Sequence, residues 1–358
     1  MSSTFKNNIS INIFGESHGP AVGVTLDGLP AGIKWDEEVI KAWLLRRKAQ
    51  GLISTQRHET DEFELLSGVY KGYTTGTPIT ALFKNQDIKD SDYDDIIARP
   101  GHADYSGYVH YNGFNNPLGG GHFSGRLTAP LVFAGAVCSL YLKKFNIEIA
   151  THIEELHGIK DNTVTDVAEA IQTLHKRAFP TLSSQSEEEM KECILNAREM
   201  GDSVGGICET LALVPAGLGE PFFDSCESII SHLVFSVPAV KGIEFGEGFG
   251  FSRLYGSEAN DSFYYDEKKS VKTKTNHNGG INGGITNGMP IVFRTVVKPT
   301  ASIAKEQESI TLNKAENMTM HVRGRHDPAI VHRATIVISA VTAIALCDLC
   351  LTRFGHQE

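Results

Sequence analysis

Leu29-Pro30-Ala31-Gly32 and Gly76-Thr77-Pro78-Ile79 recur further along the chain as Val214-Pro215-Ala216-Gly217 and Gly288-Met289-Pro290-Ile291. Two more echoes keep the same order. Arg99-Pro100-Gly101-His102 is followed by Arg323-Gly324-Arg325-His326, and Arg126-Leu127-Thr128, which opens an apolar run, by Arg333-Ala334-Thr335. Preserved order at offsets of roughly two hundred residues predicts two related halves, about 10–145 and 205–350. They belong to one domain, 1–358, because no linker separates them, and a site between the halves is expected.

The composition suits a folded chain of that size. Of 358 residues, 41% are hydrophobic and 21% charged, enough apolar material for a continuous core. A formal net charge of -10 works against binding nucleic acid or anionic lipid, since both need a cationic surface. Glycine is abundant, with seven residues from Gly101 to Gly125 and five from Gly279 to Gly288, so the surplus marks specific turns. The opening MSSTFKNNISINIF has no uninterrupted apolar stretch, which predicts no secretory leader and a cytoplasmic protein. The six cysteines show no disulfide-rich spacing, and Cys347-x-x-Cys350 closes an apolar run without a second pair, which reads as core packing. The longest charge-free apolar segments, 127–142 and 334–347, fall short of the roughly 20 residues of a membrane span and predict buried helices.

β-Branched runs at 9–14, 22–26, 64–70 and 79–83, punctuated by Gly and Pro, predict strands. Residues 36–50 carry Val39, Ile40, Trp43 and Leu44 at helical spacing, with Asp36 as N-cap and Gly51 beyond the end. Arg46, Arg47 and Lys48 therefore fall in a last turn, where the helix dipole favours cations. Further helices are expected at 164–176, 187–200, 226–235 and 333–351, and strands at 207–214 and 291–297. The polar stretch 181–189 is the one candidate for a flexible insertion.

Several motifs carry chemistry. Gly15-Glu16-Ser17-His18-Gly19 presents a hydroxyl and an imidazole at a strand end. Its spacing matches a hydrolase nucleophile elbow literally, but Pro20 and a strand follow where an elbow needs a helix, so a polar hairpin corner is the other reading. Leu118-Gly119-Gly120-Gly121-His122-Phe123-Ser124-Gly125-Arg126 brings backbone N–H groups and an arginine to a helix start, which suits a phosphate. It is no dinucleotide fingerprint, since no strand leads directly into the glycines. The Asn276 to Gly284 loop allows close backbone approach to a flat or phosphorylated ligand, and Lys298-Pro299-Thr300-Ala301-Ser302 is a cationic, hydroxyl-bearing turn. Arg323-Gly324-Arg325-His326-Asp327-Pro328 packs two arginines, an imidazole and a carboxylate ahead of a helix. No metal-ligand spacing is evident. These residue types point to chemistry on a phosphorylated, carboxylated small molecule, with imidazoles able to move protons near neutral pH.

Read in order, Gly15-Glu16-Ser17-His18-Gly19, Thr55-Gln56-Arg57, Arg99-Pro100-Gly101-His102-Ala103-Asp104, the Pro215 to Pro221 segment, Ala239-Val240-Lys241-Gly242, the Asn276 to Gly284 loop, Lys298-Pro299-Thr300 and Gly324-Arg325-His326-Asp327-Pro328 resemble the chorismate synthase family across nearly the whole chain. The resemblance implies an α+β fold, a single-domain β-α-β sandwich of two pseudo-symmetric halves, assembled as a homotetramer. It implies a lyase that converts 5-enolpyruvylshikimate 3-phosphate to chorismate and phosphate, the last step of the shikimate pathway. The reaction is a 1,4-elimination that needs reduced FMN, with NADPH a candidate reductant and an external flavin reductase the alternative. By motif position the resemblance implies His18 as proton donor to the leaving phosphate, His102 as partner of the reduced flavin, and Asp327 as the carboxylate that helps remove the C6 proton. Ser17, Arg47, Arg99 and Arg126 match substrate ligands. His122, Phe123, Ser124, Ala239, Gly283, Lys298, Pro299, Thr300, Ala301, Ser302 and Arg325 match FMN ligands. Two departures stand out: His122-Phe123-Ser124 replaces an Arg-Ser-Ser run common in the family, and Gln50-Gly51-Leu52-Ile53 lacks a second arginine after the Arg46-Arg47 pair. Lys48, Arg57 and His122 are the side chains available to replace the missing charge.

Overall fold

Two antiparallel five-stranded sheets enclose a layer of helices in the computed structural model, which describes residues 3–49, 51–55, 57, 59–87, 96–322 and 327–355. The first sheet runs Thr4–Lys6, Ser10–Gly15, Ala21–Asp27, Ile79–Lys84, Glu64–Ser67. The second runs Val240–Phe245, Ile291–Val297, Gly206–Leu213, Glu148–Leu156, Ile159–Lys160. Between them lie Glu37–Arg47, Thr128–Leu142, Cys226–Val234 and Val331–Phe354. This is the α+β sandwich that the family resemblance implies.

The two halves repeat one topology. Ser10–Gly15, Ala21–Asp27, Ile79–Lys84 and Glu64–Ser67 stand side by side in the same sequence of places as Glu148–Leu156, Gly206–Leu213, Ile291–Val297 and Val240–Phe245. A helix precedes the edge strand in each, and each half closes on a buried helix. The motif echoes sit at matching joints with matching hydrogen bonds. Thr74 Oγ1 donates to Pro30 O at 2.7 Å and accepts from Ile33 N at 3.0 Å. Thr286 Oγ1 donates to Pro215 O at 2.7 Å and accepts from Leu218 N at 2.9 Å. The strand Glu148–Leu156, in the place of Ser10–Gly15, lies ahead of residue 205, where the echoes put the start of the second half.

Burial explains the helix layer. Fourteen of the 15 residues of Thr128–Leu142 are buried, an all-round apolar helix that only a two-sided core can accommodate. It meets Val331–Phe354 where Gly135 faces Ala340; a Cβ at position 135 would stand 2.5 Å from Ala340, so glycine sets the helix separation. Val331–Phe354 spans 24 residues, a few more than the 333–351 expected, and is long and apolar enough by composition to cross a bilayer. Its most apolar window is instead 100% buried between the sheets. Asp36 caps Glu37–Arg47 as expected, accepting from Val39 N at 3.2 Å.

The 181–189 stretch is a correction. Thr181 is fully buried and Ser184–Glu199 is helical, because Asp161 accepts from Leu182 N (2.5 Å) and Ser183 N (3.0 Å) and fixes the turn. Asp161 also holds His152, 1% exposed, whose other ring nitrogen lies 3.0 Å from Glu209 Oε2. Burial disfavours the imidazolium, but Asp161 and Glu209 outweigh it and raise the His152 pKa from 6.5 to about 9. The folded state thus holds this proton more tightly than the unfolded chain. The stabilisation is complete below about pH 6.5 and lost as pH rises through about 9, a difference of about 3 kcal/mol. Urea unfolding of wild type at pH 6.5 and pH 9 should show this loss, and His152→Gln should flatten it; equal pH dependence in both proteins refutes the assignment.

Candidate active site

A cavity of about 840 Å³ opens where the starts of the two core helices meet, with Leu127 and Thr128 on one side and Ile330 and Arg333 on the other. Its described lining includes eight lysines and arginines (Arg47, Lys48, Arg57, Arg99, Arg126, Lys241, Lys298, Arg333) against three carboxylates (Glu59, Asp61, Asp327). In a chain of net charge -10, that is a local inversion of sign.

Asp61 organises one wall. Its side chain is fully out of solvent and its backbone adopts φ 52. Oδ2 accepts from Arg47 Nη2 at 2.5 Å and Nε at 3.2 Å, while Oδ1 accepts from Arg126 Nη1. Burial pushes the Asp61 carboxyl up, but the two guanidiniums overcome it and hold it below the usual carboxylate range. Burial, opposed by Asp61, lowers Arg47 to about 10, and the neighbouring Arg333 and Arg126 charges push the same way.

A second wall joins the 99–104 turn to the 298–302 turn. Arg99 grips Asp104 bidentately, Nε to Oδ2 at 2.7 Å and Nη2 to Oδ1 at 2.8 Å, and Nη1 donates to Ser302 Oγ at 3.2 Å. Arg99 lines the cavity, yet its fork is committed to Asp104. His102 Nδ1 lies 2.7 Å from Asp104 Oδ1 and 3.1 Å from Arg99 Nη2, which orients the ring and leaves Nε2 beside Gly120. Burial would raise Asp104, but Arg99 and His102 hold it well below the usual range. Lys298 Nζ donates to Gly101 O, and the Thr300 Oγ1 is buried without a hydrogen-bond partner. Ala239, also in the lining, takes φ 71, rare for a residue with a Cβ, and its carbonyl accepts from Lys298 N at 3.0 Å.

The Gly15 to Gly19 corner is a hairpin turn between Ser10–Gly15 and Ala21–Asp27, and no elbow. Ser17 is fully buried outside the lining; Arg57 Nη1 donates to its Oγ at 2.7 Å and Nη2 to its carbonyl at 3.0 Å. His18 lies against the cavity-lining Gly119, where a Cβ would fall 1.7 Å from the ring, and its Nδ1 is buried without a partner. His18 itself is outside the lining, and position 119, at φ 60, needs glycine for the imidazole to pack against it.

Asp327 lines the third side. Arg333 Nη1 donates to its Oδ2 at 2.6 Å and Nε to Arg47 O at 2.8 Å, while Oδ1 is buried and unpartnered. Burial raises the Asp327 pKa, against the pull of Arg333. His122, Phe123 and Ser124 line the cavity with Lys298, Pro299, Thr300, Ala301 and Ser302. His122 Nδ1–H donates to Gly15 O at 2.8 Å and Nε2 lies 2.6 Å from Ser3 Oγ, so this ring fastens backbone where an arginine would carry free charge. Gly283 sits at the exposed tip of the Ile281–Asn282 and Ile285–Thr286 hairpin, outside the lining. Arg325 lies outside the described residues, as do Arg323, Gly324 and His326.

Asp61 and Glu59 stand outside every motif of the sequence, and Arg333 appears there only as an echo of Arg126. The alternation Arg57, Glu59, Asp61 was the available signal, since an extended segment turns alternate residues to one side.

The family model described as chorismate synthase matches residues 9–351. Chorismate synthases of Korarchaeum cryptofilum and Pyrococcus abyssi are each 44% identical, over 96% of both chains. That of Lachnoclostridium phytofermentans is 43% identical over 99% of this chain and 96% of its own. A crystal structure of chorismate synthase superposes with a TM-score of 0.76 at 29% identity, covering 97% of this chain and 93% of the other. With the family model matched over residues 9–351, relatives 44% identical over 96% of both chains and a shared fold, the chain belongs to the chorismate synthase family.

Proposed function

We propose that the cavity binds 5-enolpyruvylshikimate 3-phosphate beside reduced FMN and releases chorismate and phosphate. The observation that carries this reading is the cation excess of the cavity, matched to a substrate with one phosphate and two carboxylates. Arg47 and Arg126, held side by side by Asp61, supply a paired anion site, and each keeps N–H donors free of Asp61.

The elimination breaks the bond from carbon to phosphate oxygen and the C6–H bond, and forms one carbon–carbon double bond. The electron pair of the first bond leaves with phosphate and the C6 hydrogen leaves as a proton, so substrate and products are balanced without net oxidation. His18, packed against the cavity-lining Gly119, places a proton on the departing phosphate. Asp327 has an unpartnered Oδ1 and a raised pKa, and both suit a carboxyl that takes up a proton. His102, oriented by Asp104, presents Nε2 to the cofactor side.

Thr300 tests the fit of FMN: its hydroxyl is orphaned, and Thr300 shares the lining with Lys298, so that a hydroxyl and an ammonium are on hand for a phosphate. Lys298, Thr300 and Ser302, with His122 to Ser124 and Ala239, would hold the cofactor, and Arg325 and Gly283 join them by motif position alone. When bound, reduced FMN supplies electron density to the allylic system and regains it. We also assign the chain to the cytoplasm and to a homotetramer on family grounds.

The deciding experiment is anaerobic incubation with dithionite-reduced FMN and 5-enolpyruvylshikimate 3-phosphate, following both products. Phosphate and chorismate should appear in equal amounts, and absence of both refutes the reading. Product with NADPH in place of dithionite makes the chain its own flavin reductase, whereas failure there means an external one. His18→Ala and His102→Ala should each lower turnover by roughly 10²- to 10⁴-fold in folded protein; wild-type turnover in either removes its role. Arg126→Ala should mainly raise KM, and an unchanged KM takes Arg126 out of the anion site.

A further inference from the structure

Asn85 follows the strand Ile79–Lys84 directly and is half-buried, outside the lining of the cavity. Its side-chain amide makes three hydrogen bonds. Nδ2 donates to Glu16 O at 3.0 Å and to Gly19 O at 2.7 Å, and Oδ1 accepts from Arg126 Nε at 2.8 Å. Its backbone N–H donates to Pro20 O at 3.1 Å. One amide thus closes the turn on both sides of His18 and abuts the arginine of the anion site. Only a group with two donors and an acceptor in one plane can do this, which is the inventory of Asn.

We propose that Asn85 is a positioning residue for the reaction, tying the turn that carries His18 to Arg126 so that proton donor and phosphate site keep a fixed relation. The inference rests on His18 acting as proton donor. Arg126 has other anchors, Asp61 through Nη1 and Lys84 O through Nη2 at 3.3 Å, so loss of Asn85 leaves it in place. The turn keeps other ties, Ser17 N to Gly121 O at 3.0 Å, Gly19 N to Glu16 O at 3.1 Å, His122 Nδ1 to Gly15 O at 2.8 Å and Arg57 on Ser17, but among the described residues none of these joins it to Arg126. The defect should therefore fall on turnover and spare apparent affinity.

Asn85→Ala should lower kcat roughly 10- to 100-fold, the cost of a misplaced reacting group, with KM within about threefold of wild type. Amide exchange at Ser17 to Gly19 should quicken, a readout independent of the cofactor. In a His18→Ala background the same substitution should cost less than about twofold, because the group it positions is gone. Wild-type kcat in Asn85→Ala overturns the proposal, as does a full-sized loss on top of His18→Ala. Wild-type enzyme that releases no phosphate, or His18→Ala at full turnover, instead refutes the reading beneath it. If Asn85→Ala fails to fold, Asn85→Asp serves: it is isosteric, keeps the acceptor for Arg126 and sets a carboxylate oxygen against two carbonyls. The same loss is expected there, and full activity overturns the proposal.

Discussion

Asp61 stands between Arg47 and Arg126 with its side chain out of water, and the shape of the cavity depends on that contact. Moving a charge out of water costs several kcal/mol per ion, and two adjacent guanidiniums would add mutual repulsion. A shared carboxylate offsets both. The same solution recurs around the cavity, with Glu59 on Arg57, Asp104 on Arg99 and Asp327 on Arg333. The arginines are thus ordered without an anion. Of the five N–H groups of a guanidinium, Arg47 commits three to Asp61 and Thr128, and Arg126 commits three to Asn85, Asp61 and Lys84 O. Among the described residues two remain on each, and an arriving phosphate or carboxylate finds donors whose rotamer freedom is already spent.

The repeated topology explains how so many cations reach one place. Arg126 lies just ahead of the core helix Thr128–Leu142 and Arg333 in the first turn of Val331–Phe354, and these helices occupy equivalent positions in the two halves. Packing the helices against each other at Gly135 and Ala340 brings their starts together, with one arginine from each half facing the same cavity. The two ends differ in their partners. Arg126 shares Asp61 with Arg47, whereas Arg333 holds Asp327 and the Arg47 carbonyl. Duplication would supply a symmetric pair of cations, and these unlike partners make the two sides chemically distinct.

Legibility in the sequence followed the range of the interactions. Asp36 as a cap, the Ile291–Val297 strand and the buried core helices depend on local pattern and could be read directly. The strand Glu148–Leu156 could not, because His152 and Glu154 fall where an apolar residue would show alternation, and His152 is buried only by virtue of Asp161 and Glu209. The 181–189 stretch read as flexible for the same reason, since its anchor lies about twenty residues away in Asp161. In the site, glycines and imidazoles sit in recognisable motifs. Asp61 and Asn85 act through partners as far as 65 and 69 residues away, in text that is ordinary for a polar strand end.

The near wall of the cavity is built from the first strand and held by the last helix. Ser3, Thr4 and Phe5 line the cavity, and Phe5 packs edge-on against His232 at 5.5 Å. What keeps this short strand in place is Asp348, fully buried in Val331–Phe354, which accepts from Asn7 Nδ2 at 2.6 Å and Ile9 N at 2.9 Å, with Asn8 Nδ2 on its carbonyl at 3.3 Å. Burial raises the Asp348 pKa against these donors, so the interaction is costly for a helix that could have been apolar throughout. Its return is directional: a hydrophobic contact would let the strand slide, whereas three donors on one residue fix its register. His122 takes the other end of the strand at Ser3 Oγ and the chain turn at Gly15 O. An arginine at 122 would extend charge into the cavity; the imidazole trades that charge for a bridge between the first strand and the turn that carries His18.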